Sequence, residues 1–221
     1  MNNVLYHVHY EDRDDIIGAL EAYRELFPPA IQRRWKAYLS SPDRRKSIVS
    51  KVLLYTALMN EFPGAVPGKY PLCYDAKGRP FITSRESFDF NISHSQNLIA
   101  CALSFNGRLG LDVHHQAERK NLEKYRKSLD RIINLGRPIE LEDWVSIEAI
   151  LKCTGEGLGG LKSVMKYFDD FELQSFDLHP DYLCQVATRH PLELLSRSFE
   201  IPALIDSIEE QLDKSMLNAS S

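Results

Sequence analysis

The order of apolar and polar residues at the start of the chain predicts a strand followed by helices. Residues 4–10 alternate apolar with polar side chains, which is typical of a half-buried strand. Residues 15–27 predict a helix that ends before two prolines. A longer helix is expected to begin at Ser41, with a proline at its first helical position. Its core-facing stripe recurs at spacings of three and four: Ile48, Val52, Tyr55, Met59 and Phe62.

The middle of the chain predicts strands. After a stretch rich in turn-forming residues, residues 88–92 and 98–105 predict two strands. The pair Asn106-Gly107 follows the second strand and stands between apolar runs. This pair predicts a hairpin into a third strand at residues 108–113.

The last third of the chain predicts two helices, a hairpin and a closing helix. Residues 118–133 predict a charged helix, and residues 141–153 predict a second helix that ends at glycines. Residues 171–178 and 182–188 predict a hairpin, and residues 202–214 predict an amphipathic helix. The last third of the chain therefore contains both helices and strands, as the earlier part does.

Both halves of the chain combine helices with about three strands, so the pattern predicts an α+β protein. We expect an N-terminal half at residues 1–106 and a C-terminal half at residues 107–221. The length of 221 residues allows one large domain or two small ones, and a hydrophobic content of 43% suffices for a substantial core.

Charge and cysteine spacing exclude several classes of function. Lys and Arg total 27 against 31 Asp and Glu, a net charge of -4 that argues against a general nucleic-acid or anionic-membrane surface. The four cysteines have neither zinc-site nor redox-pair spacing. The N-terminus lacks a signal-peptide pattern, and no apolar stretch approaches the roughly 20 residues that span a bilayer. A cytoplasmic protein without nucleic-acid or membrane partners is expected.

Polar residues stand at or near the ends of two predicted strands. Ser93 and His94 lie near the end of a strand, where side chains and backbone amides can bind an anion, although His94 also fits a hydrogen-bonded structural role. In the next strand, alternation places Asp112 and His114 on one face, about 7 Å apart and close enough to share one ion. A solvated strand face would give the same pattern.

One face of a predicted helix carries Trp144, Glu148 and Lys152 at spacings of four. The acidic and basic pair alone fits an ordinary surface ion pair, which is worth about 0.2 to 0.5 kcal/mol. The aromatic side chain on the same face and the glycines that follow, which permit close approach of the backbone, argue against that interpretation, but the segment by itself is not specific.

Asp112 and Glu148 come from separate elements and would form an oxygen site of the kind that Mg²⁺ prefers. Positive side chains that could neutralise phosphate oxygens are Lys152, Lys77, Arg79 and the basic run at residues 44–46. The sequence therefore predicts a magnesium-bound polyphosphate as ligand. The glycine patterns of the common nucleotide folds are absent from the chain.

These segments, in this order, resemble the 4'-phosphopantetheinyl transferases of the larger, surfactin-synthetase-activating type. The resemblance covers residues 28–188 and rests on the polar segment at 91–95, the strand at 110–112 and the helix that carries Glu148 and Lys152. It implies a pseudo-dimeric monomer with two similar α+β halves that clasp coenzyme A. It also implies magnesium-dependent transfer of 4'-phosphopantetheine from coenzyme A to a serine of an acyl, peptidyl or aryl carrier protein, with release of 3',5'-ADP.

The resemblance implies a role for each candidate residue. Asp112, Glu148 and Lys152 would be catalytic, the first two as metal ligands, with Glu148 also a candidate base for the serine proton. The implied coenzyme A contacts are Lys46, Lys77, Arg79, Ser93, His94 and Lys152. Among these, His94 would contact the 3'-phosphate and Lys152 the pyrophosphate. His114 stands where the family usually has a glutamate. As a third metal donor it would be a poorer Mg²⁺ ligand than glutamate, and the alternative is that it hydrogen-bonds a phosphate oxygen or a metal-bound water.

Two other interpretations remain open. The altered metal site at His114 suits a catalytically impaired relative that binds coenzyme A or a carrier protein without efficient transfer. The chain could also be an unrelated α+β domain in which these segments coincide. A transfer assay on an apo carrier protein and a measurement of coenzyme A binding distinguish the three interpretations.

Overall fold

The structure is a computed structural model that describes residues 2–10, 27, 29, 31–33, 41–62, 65, 70–83, 88–206 and 209–210. Its strands are β1 (Val4–His9), β2 (Leu72–Tyr74), β3 (Pro80–Ile82), β4 (Asp89–Ser95), β5 (Leu98–Ser104), β6 (Leu109–His115), β7 (Glu172–Ser175), β8 (Tyr182–Thr188) and β9 (Leu195–Phe199). Its longer helices are α1 (Ser41–Glu61), α2 (Arg119–Ile133) and α3 (Leu141–Thr154). The described part of the chain is therefore α+β.

Most predicted elements are present, with shifted ends. The predicted helix at residues 15–27 lies outside the described residues except for its last one, and only residues 201–206 and 209–210 of the closing helical segment are described. The strands β2, β3 and β9 are short elements that the sequence pattern does not predict. No helix in the described ranges combines the length and apolar character that crossing a membrane requires.

Two sheets form the centre of the protein. The first has the strand order β4-β5-β1-β9, in which β9 is parallel to β1 and the other neighbours are antiparallel. The second is antiparallel and has the order β6-β8-β7. The strands β2 and β3 form a separate hairpin, whose turn contains Gly78 with a φ of 83° that favours glycine.

The two sheets are stacked between two helices. α1 packs on one face of the first sheet, where Val52 and Leu53 are buried with Tyr6 and Val8. The opposite face of that sheet packs on the second sheet through Leu5, Leu98, Ala100, Ala102, Leu111, Val113 and Val186. α3 covers the far face of the second sheet. Both faces of β6 are therefore covered, and its side chains that face α3 lie inside the protein.

The predicted hairpin at Asn106-Gly107 is wrong. β5 is already paired with β4 on one edge and with β1 on the other, so it has no free edge for β6. The chain instead crosses to the second sheet through Gly107, which has a φ of 118°, and β6 pairs with β8. The dipeptide marks a turn, but the pairing partner of β6 lies far along the chain.

The polar residues of β4 bind the backbone edge of β6. Side-chain oxygens of β4 accept hydrogen bonds from alternate N–H groups of β6: Asp89 from Leu109 at 2.9 Å, Asn91 from Leu111 at 3.2 Å, Ser93 from Val113 at 3.1 Å and Ser95 from His115 at 2.8 Å. We call this contact the β4–β6 seam. It satisfies buried N–H groups that have no strand partner on that edge, and it fixes the register between the two sheets.

The end of the described chain returns to the first sheet. β9 lies beside β1, and Ile201 and Leu204 of the following helical turn are buried in the core under α1. This part of the predicted C-terminal half, residues 107–221, therefore packs with the first sheet rather than with the second.

Candidate functional site

β6 and α3 approach each other closely because Gly110 has no side chain. A Cβ at this position would lie 1.9 Å from the carbonyl oxygen of Ala149 and 2.4 Å from the backbone nitrogen of Cys153. The helix backbone therefore rests directly on the strand. As a result, polar side chains on the facing surfaces of the two elements come within hydrogen-bond distance of each other.

Asp112 is the buried centre of the site, with 2% of its surface exposed. Its Oδ1 accepts hydrogen bonds from Ser93 Oγ at 2.9 Å and from Lys152 Nζ at 2.5 Å. Burial raises the pKa of Asp112, but Lys152 and His114 outweigh burial, so the pKa lies below its ordinary value. Its Oδ2 lies 3.1 Å from His114 Nε2, and within the described chain it accepts no well-aligned hydrogen bond.

His114 lies among three carboxylates. Its Nδ1 is 2.7 Å from Glu118 Oε2, and its Nε2 is 2.8 Å from Glu148 Oε2. Burial lowers the pKa of His114, but the hydrogen bonds with the surrounding carboxylates outweigh burial and raise this pKa to about 11. In the absence of a metal ion, the imidazole is therefore a cation that neutralises its acidic neighbours.

Asp112, His114 and Glu148 fit a divalent cation. Each offers one donor atom, and these atoms lie within 4.8 Å of one another. Oδ2 of Asp112 is buried without a well-aligned donor, and a buried anionic oxygen of this kind is expected where a cation binds. The donor set contains two carboxylates and one imidazole, so it differs from an all-oxygen magnesium site by one nitrogen.

Lys152 connects this centre to the β4–β6 seam. Its Nζ donates to Asp112 and also to Ser93 Oγ, at 2.8 Å. The Ser93 hydroxyl accepts a second hydrogen bond from the Val113 N–H and donates its own proton to Asp112. Ser93 thus uses its full hydrogen-bonding capacity within the protein, whereas Lys152, with 32% of its side chain exposed, can also reach a ligand.

A second candidate region lies on the other face of β4. A cleft of about 340 Å³ is lined by Lys46, Ser47, Lys51, Gly78 and His94, among others. His94 keeps part of its surface in solvent, but partial desolvation lowers its pKa, and three neighbouring lysines lower the pKa further: Lys152, Lys46 and Lys51. This concentration of positive charge favours an anionic ligand. The structure therefore brings Lys46 and His94 together and places them across β4 from Ser93.

The guanidinium of Arg79 is held by protein groups. It donates to Asp89 Oδ2 at 2.6 Å, to the carbonyl of Leu109 at 3.1 Å and to the carbonyl of Lys152. Only 9% of its side chain is exposed. Arg79, at the end of the turn between β2 and β3, therefore connects that turn to β4, β6 and α3, which is a structural role. Lys77 lies in the exposed turn between β2 and β3.

Glu118 is a site residue that the sequence pattern does not identify. It ends the short 3₁₀ turn Gln116–Glu118 after β6, and its carboxylate accepts hydrogen bonds from the Ser95 hydroxyl and from His114. The hydrogen bond from His114 lowers the pKa of Glu118 and outweighs the opposing effect of burial. The sequence does place Glu118 four residues after His114. Glu118 also stands at the start of a charged helix, however, where an acidic residue is common and does not indicate a site.

An apolar cleft of about 350 Å³ opens beside His114 and Glu118. α2, α3 and the 3₁₀ turn Gly157–Lys162 line this cleft. On its rim, Tyr125 and Leu158 are 65% and 63% exposed. The three candidate metal donors therefore lie between a positively charged cleft and an apolar surface.

Comparison with known proteins connects this geometry to one class of enzyme. No family model matches the chain. Over 136 residues, the chain is 28% identical to the 4'-phosphopantetheinyl transferase HetI of Nostoc sp., a match that covers 56% of this chain and 57% of the relative. Over 175 residues, it is 25% identical to the putative 4'-phosphopantetheinyl transferase slr0495 of Synechocystis sp., a match that covers 73% of this chain and 70% of the relative.

The chain is similar to 4'-phosphopantetheinyl transferases. Both relatives carry this name, which supports the resemblance at the level of the superfamily and supports an enzyme of this class. The match spans 57% of the length of the Nostoc relative, which is less than two thirds.

Proposed function

We propose that the protein transfers the 4'-phosphopantetheine group of coenzyme A to a serine hydroxyl of an apo acyl, peptidyl or aryl carrier protein and releases 3',5'-ADP. The observation that carries the proposal is the cluster of Asp112, Glu148 and Lys152 around one buried point, beside a cleft lined by lysines and a histidine. Similarity to two proteins named as transferases of this class supports the same reaction.

The arrangement of the two sheets supports a pseudo-dimeric clasp as part of the proposal. Each sheet carries a helix on its outer face, α1 on the first and α3 on the second. The lysine-lined cleft belongs to the first sheet and the metal donors belong to the second. Coenzyme A bound across the β4–β6 seam would contact both units, as expected for a monomer of the larger, surfactin-synthetase-activating type.

The proposed reaction depends on Mg²⁺, which Asp112 and Glu148 would hold with His114 as a third donor. When bound, the cation would stabilise negative charge on the pyrophosphate and on the leaving phosphate. Lys152 and His114 lower the pKa of Asp112 and so keep it ionised, and the hydrogen bonds from Lys152 and Ser93 to Oδ1 fix its orientation. The second oxygen of Asp112 is thereby left for the cation.

Cationic side chains of the protein would bind the nucleotide. Lys46 and His94 line the cleft on the first sheet and would bind the 3'-phosphate of coenzyme A. Lys152 stands between that cleft and the metal donors, where its partly exposed ammonium would bind the pyrophosphate. The exposed Lys77 would add a contact at the rim.

Glu148 is the proposed base. Its side chain is 23% exposed, so a serine hydroxyl of the carrier protein can approach its carboxylate from solvent. As the serine oxygen forms its bond to the phosphorus attached to pantetheine, Glu148 takes the hydroxyl proton, and 3',5'-ADP leaves with the electron pair of the broken P–O bond. The carrier protein would dock on the apolar cleft beside Glu118.

A catalytically impaired relative is the second candidate, and the position of His114 favours it. The imidazole lies within hydrogen-bond distance of Glu148 and beside Asp112, so as a cation it occupies the place that a metal ion would take. Such a protein would bind coenzyme A through the cleft and transfer the group slowly or not at all.

The transfer is tested by incubating the protein with coenzyme A, Mg²⁺ and an apo carrier protein and measuring the mass of the carrier. A mass gain of one phosphopantetheine group, retained by Glu123→Gln and lost in Asp112→Asn, supports the proposal. Glu123 is a suitable control because it is exposed on α2. Coenzyme A binding without mass gain across a panel of carriers supports the impaired relative, and absence of both contradicts both functions.

A further inference from the structure

Glu118 contacts the far side of the imidazole that completes the candidate metal site. Its Oε2 lies 2.7 Å from His114 Nδ1, while Nε2 of the same ring faces Glu148 and Asp112. The other oxygen of Glu118 accepts a hydrogen bond from the hydroxyl of Ser95. The carboxylate is thus held by β4 on one side and holds the histidine on the other.

A carboxylate in this position determines which ring nitrogen is available to a metal. When Nδ1–H donates to Glu118, the lone pair that remains on the neutral ring is at Nε2, and it points toward the other two donors. Histidines that bind metals commonly donate their second ring N–H to a carboxylate or carbonyl, which orients the ring and increases its strength as a ligand. Glu118 and His114 have this arrangement.

We propose that Glu118 is a positioning residue of the metal site, where it holds His114 with Nε2 as a nitrogen ligand beside Asp112 and Glu148. The resulting site has two carboxylates and one imidazole that is held in place by its hydrogen bond to Glu118. This site favours Mn²⁺ over Mg²⁺. The assignment rests on the metal-dependent reaction proposed for the protein, and it adds a residue that lies outside the cluster of three metal donors.

The preference for Mn²⁺ follows from the chemistry of the donors. Mg²⁺ is a hard ion that binds oxygen and keeps several waters, so an imidazole contributes little to its affinity. Mn²⁺ is a softer ion that tolerates an imidazole among carboxylates better than Mg²⁺ does, and a carboxylate on the second ring N–H makes the histidine a stronger ligand. Removing Glu118 should therefore weaken Mn²⁺ binding more than Mg²⁺ binding. A purely structural role for Glu118 would affect both ions alike.

Metal titrations by calorimetry on the protein alone, without coenzyme A or carrier protein, test this assignment. Wild type, Glu118→Ala and Glu118→Gln are compared at one pH, with Glu123→Ala as the exposed control on α2. We expect Mn²⁺ affinity to fall about 10 to 100-fold in Glu118→Ala, and less in Glu118→Gln, whose amide oxygen can still accept the Nδ1–H. The ratio of Mn²⁺ to Mg²⁺ affinity should fall in both variants and stay unchanged in the control.

A double-mutant cycle shows whether Glu118 acts through His114. In a His114→Ala background, adding Glu118→Ala should cause no further loss of Mn²⁺ affinity. An equal loss in both backgrounds, or no change of the affinity ratio in either Glu118 variant, overturns the assignment. The unfolding midpoint of each variant is measured in parallel, and Glu118→Gln keeps the size of the side chain in case Glu118→Ala does not fold.

The outcome is separable from that of the transfer assay. The expected metal ratios with no mass gain on any carrier protein would contradict the transferase and leave the role of Glu118 intact. Transfer with unchanged metal ratios in the Glu118 variants would contradict the role of Glu118 and leave the transferase intact.

Discussion

Opposite charges at the candidate site compensate one another within the protein. Lys152 pairs with the deeply buried Asp112, and His114 pairs with Glu118 and Glu148. Because these groups differ in burial, a substitution that removes one charge should change stability by an amount that depends on how much water can replace the lost contact. The effect of a single substitution on transfer activity can therefore be distinguished from its effect on the free energy of unfolding.

Asp112 and Glu148 provide the clearest pair for this separation. Asp112→Asn should abolish transfer and lower the free energy of unfolding by about 1 to 3 kcal/mol, because Lys152 and Ser93 lose a charged acceptor in a buried place. Glu148→Gln should abolish transfer with a smaller loss of stability, since the Glu148 side chain is 23% exposed. Urea unfolding and the carrier mass assay measure the two effects. Equal stabilities of the two variants would show that the buried pair does not stabilise the fold.

His114 should make the stability of the metal-free protein depend on pH. Its pKa is about 11 in the folded protein and about 6.5 in an unfolded chain. The imidazolium therefore stabilises the fold fully below about pH 6.5, and this contribution is lost as the pH rises toward the folded pKa. In the presence of a chelator, the difference in unfolding free energy between wild type and His114→Ala should be larger at pH 6 than at pH 9.

The exposed His190 supplies the control for that experiment, because its side chain lies on the surface. The difference between wild type and His190→Ala is measured at the same two pH values. A difference for His114→Ala that does not decrease with rising pH would mean that the histidine is not held as a cation among the carboxylates.

At the scale of elements, the contact of α3 with β6 determines the site. Glu148 and Lys152 reach His114 and Asp112 only because the helix backbone rests on the strand at Gly110. The β4–β6 seam fixes one edge of the same strand. The position of β6 is thus fixed from two sides, and the positions of Asp112 and His114 are fixed with it.

Gly110→Ala should disrupt this contact. The added Cβ would overlap the backbone of α3, which cannot be relieved by a side-chain rotation, so we expect a loss of about 1 to 3 kcal/mol or more in unfolding free energy. Transfer should also fall, because α3 carries Glu148 and Lys152. Urea unfolding and the mass assay measure both. Gly159→Ala is the matched control, because a Cβ there meets no atom within 4 Å. If Gly110→Ala were as stable as this control, β6 and α3 would not be in direct backbone contact at Gly110.

Local periodicity could predict the elements of the site but not how they pair. Alternation along β6 correctly places Asp112 and His114 on one face, and the spacing along α3 correctly places Glu148 with Lys152. The partner of β6 could not be predicted, because it depends on which edges of β5 are already occupied. The pattern also does not indicate that the Ser93 hydroxyl accepts a hydrogen bond from the Val113 N–H. That contact depends on how the two sheets pack, which local periodicity does not specify.

At the scale of the whole molecule, the two candidate regions lie on different sheets. The cleft with Lys46 and His94 is built by α1, β4 and the β2–β3 hairpin, whereas the candidate metal donors are on β6 and α3. Lys152 lies near enough to both to affect the pKa values of His94 and Asp112. A ligand with two anionic groups could therefore bind both regions at once, which suits coenzyme A.

If the two regions bind different parts of coenzyme A, substitutions in the cleft should affect only one phosphate. His94→Ala and Lys46→Ala should each weaken coenzyme A binding by about 1.5 to 3 kcal/mol, because each removes a charge-assisted contact to the 3'-phosphate. Neither should weaken binding of dephospho-coenzyme A, which lacks that phosphate, whereas Lys152→Ala should weaken both ligands. Calorimetric titration of the two ligands gives the comparison, and Lys124→Ala on the exposed face of α2 is the control. Equal losses for both ligands in His94→Ala would place the 3'-phosphate elsewhere, and the cleft would then have to bind the pyrophosphate or a different anion.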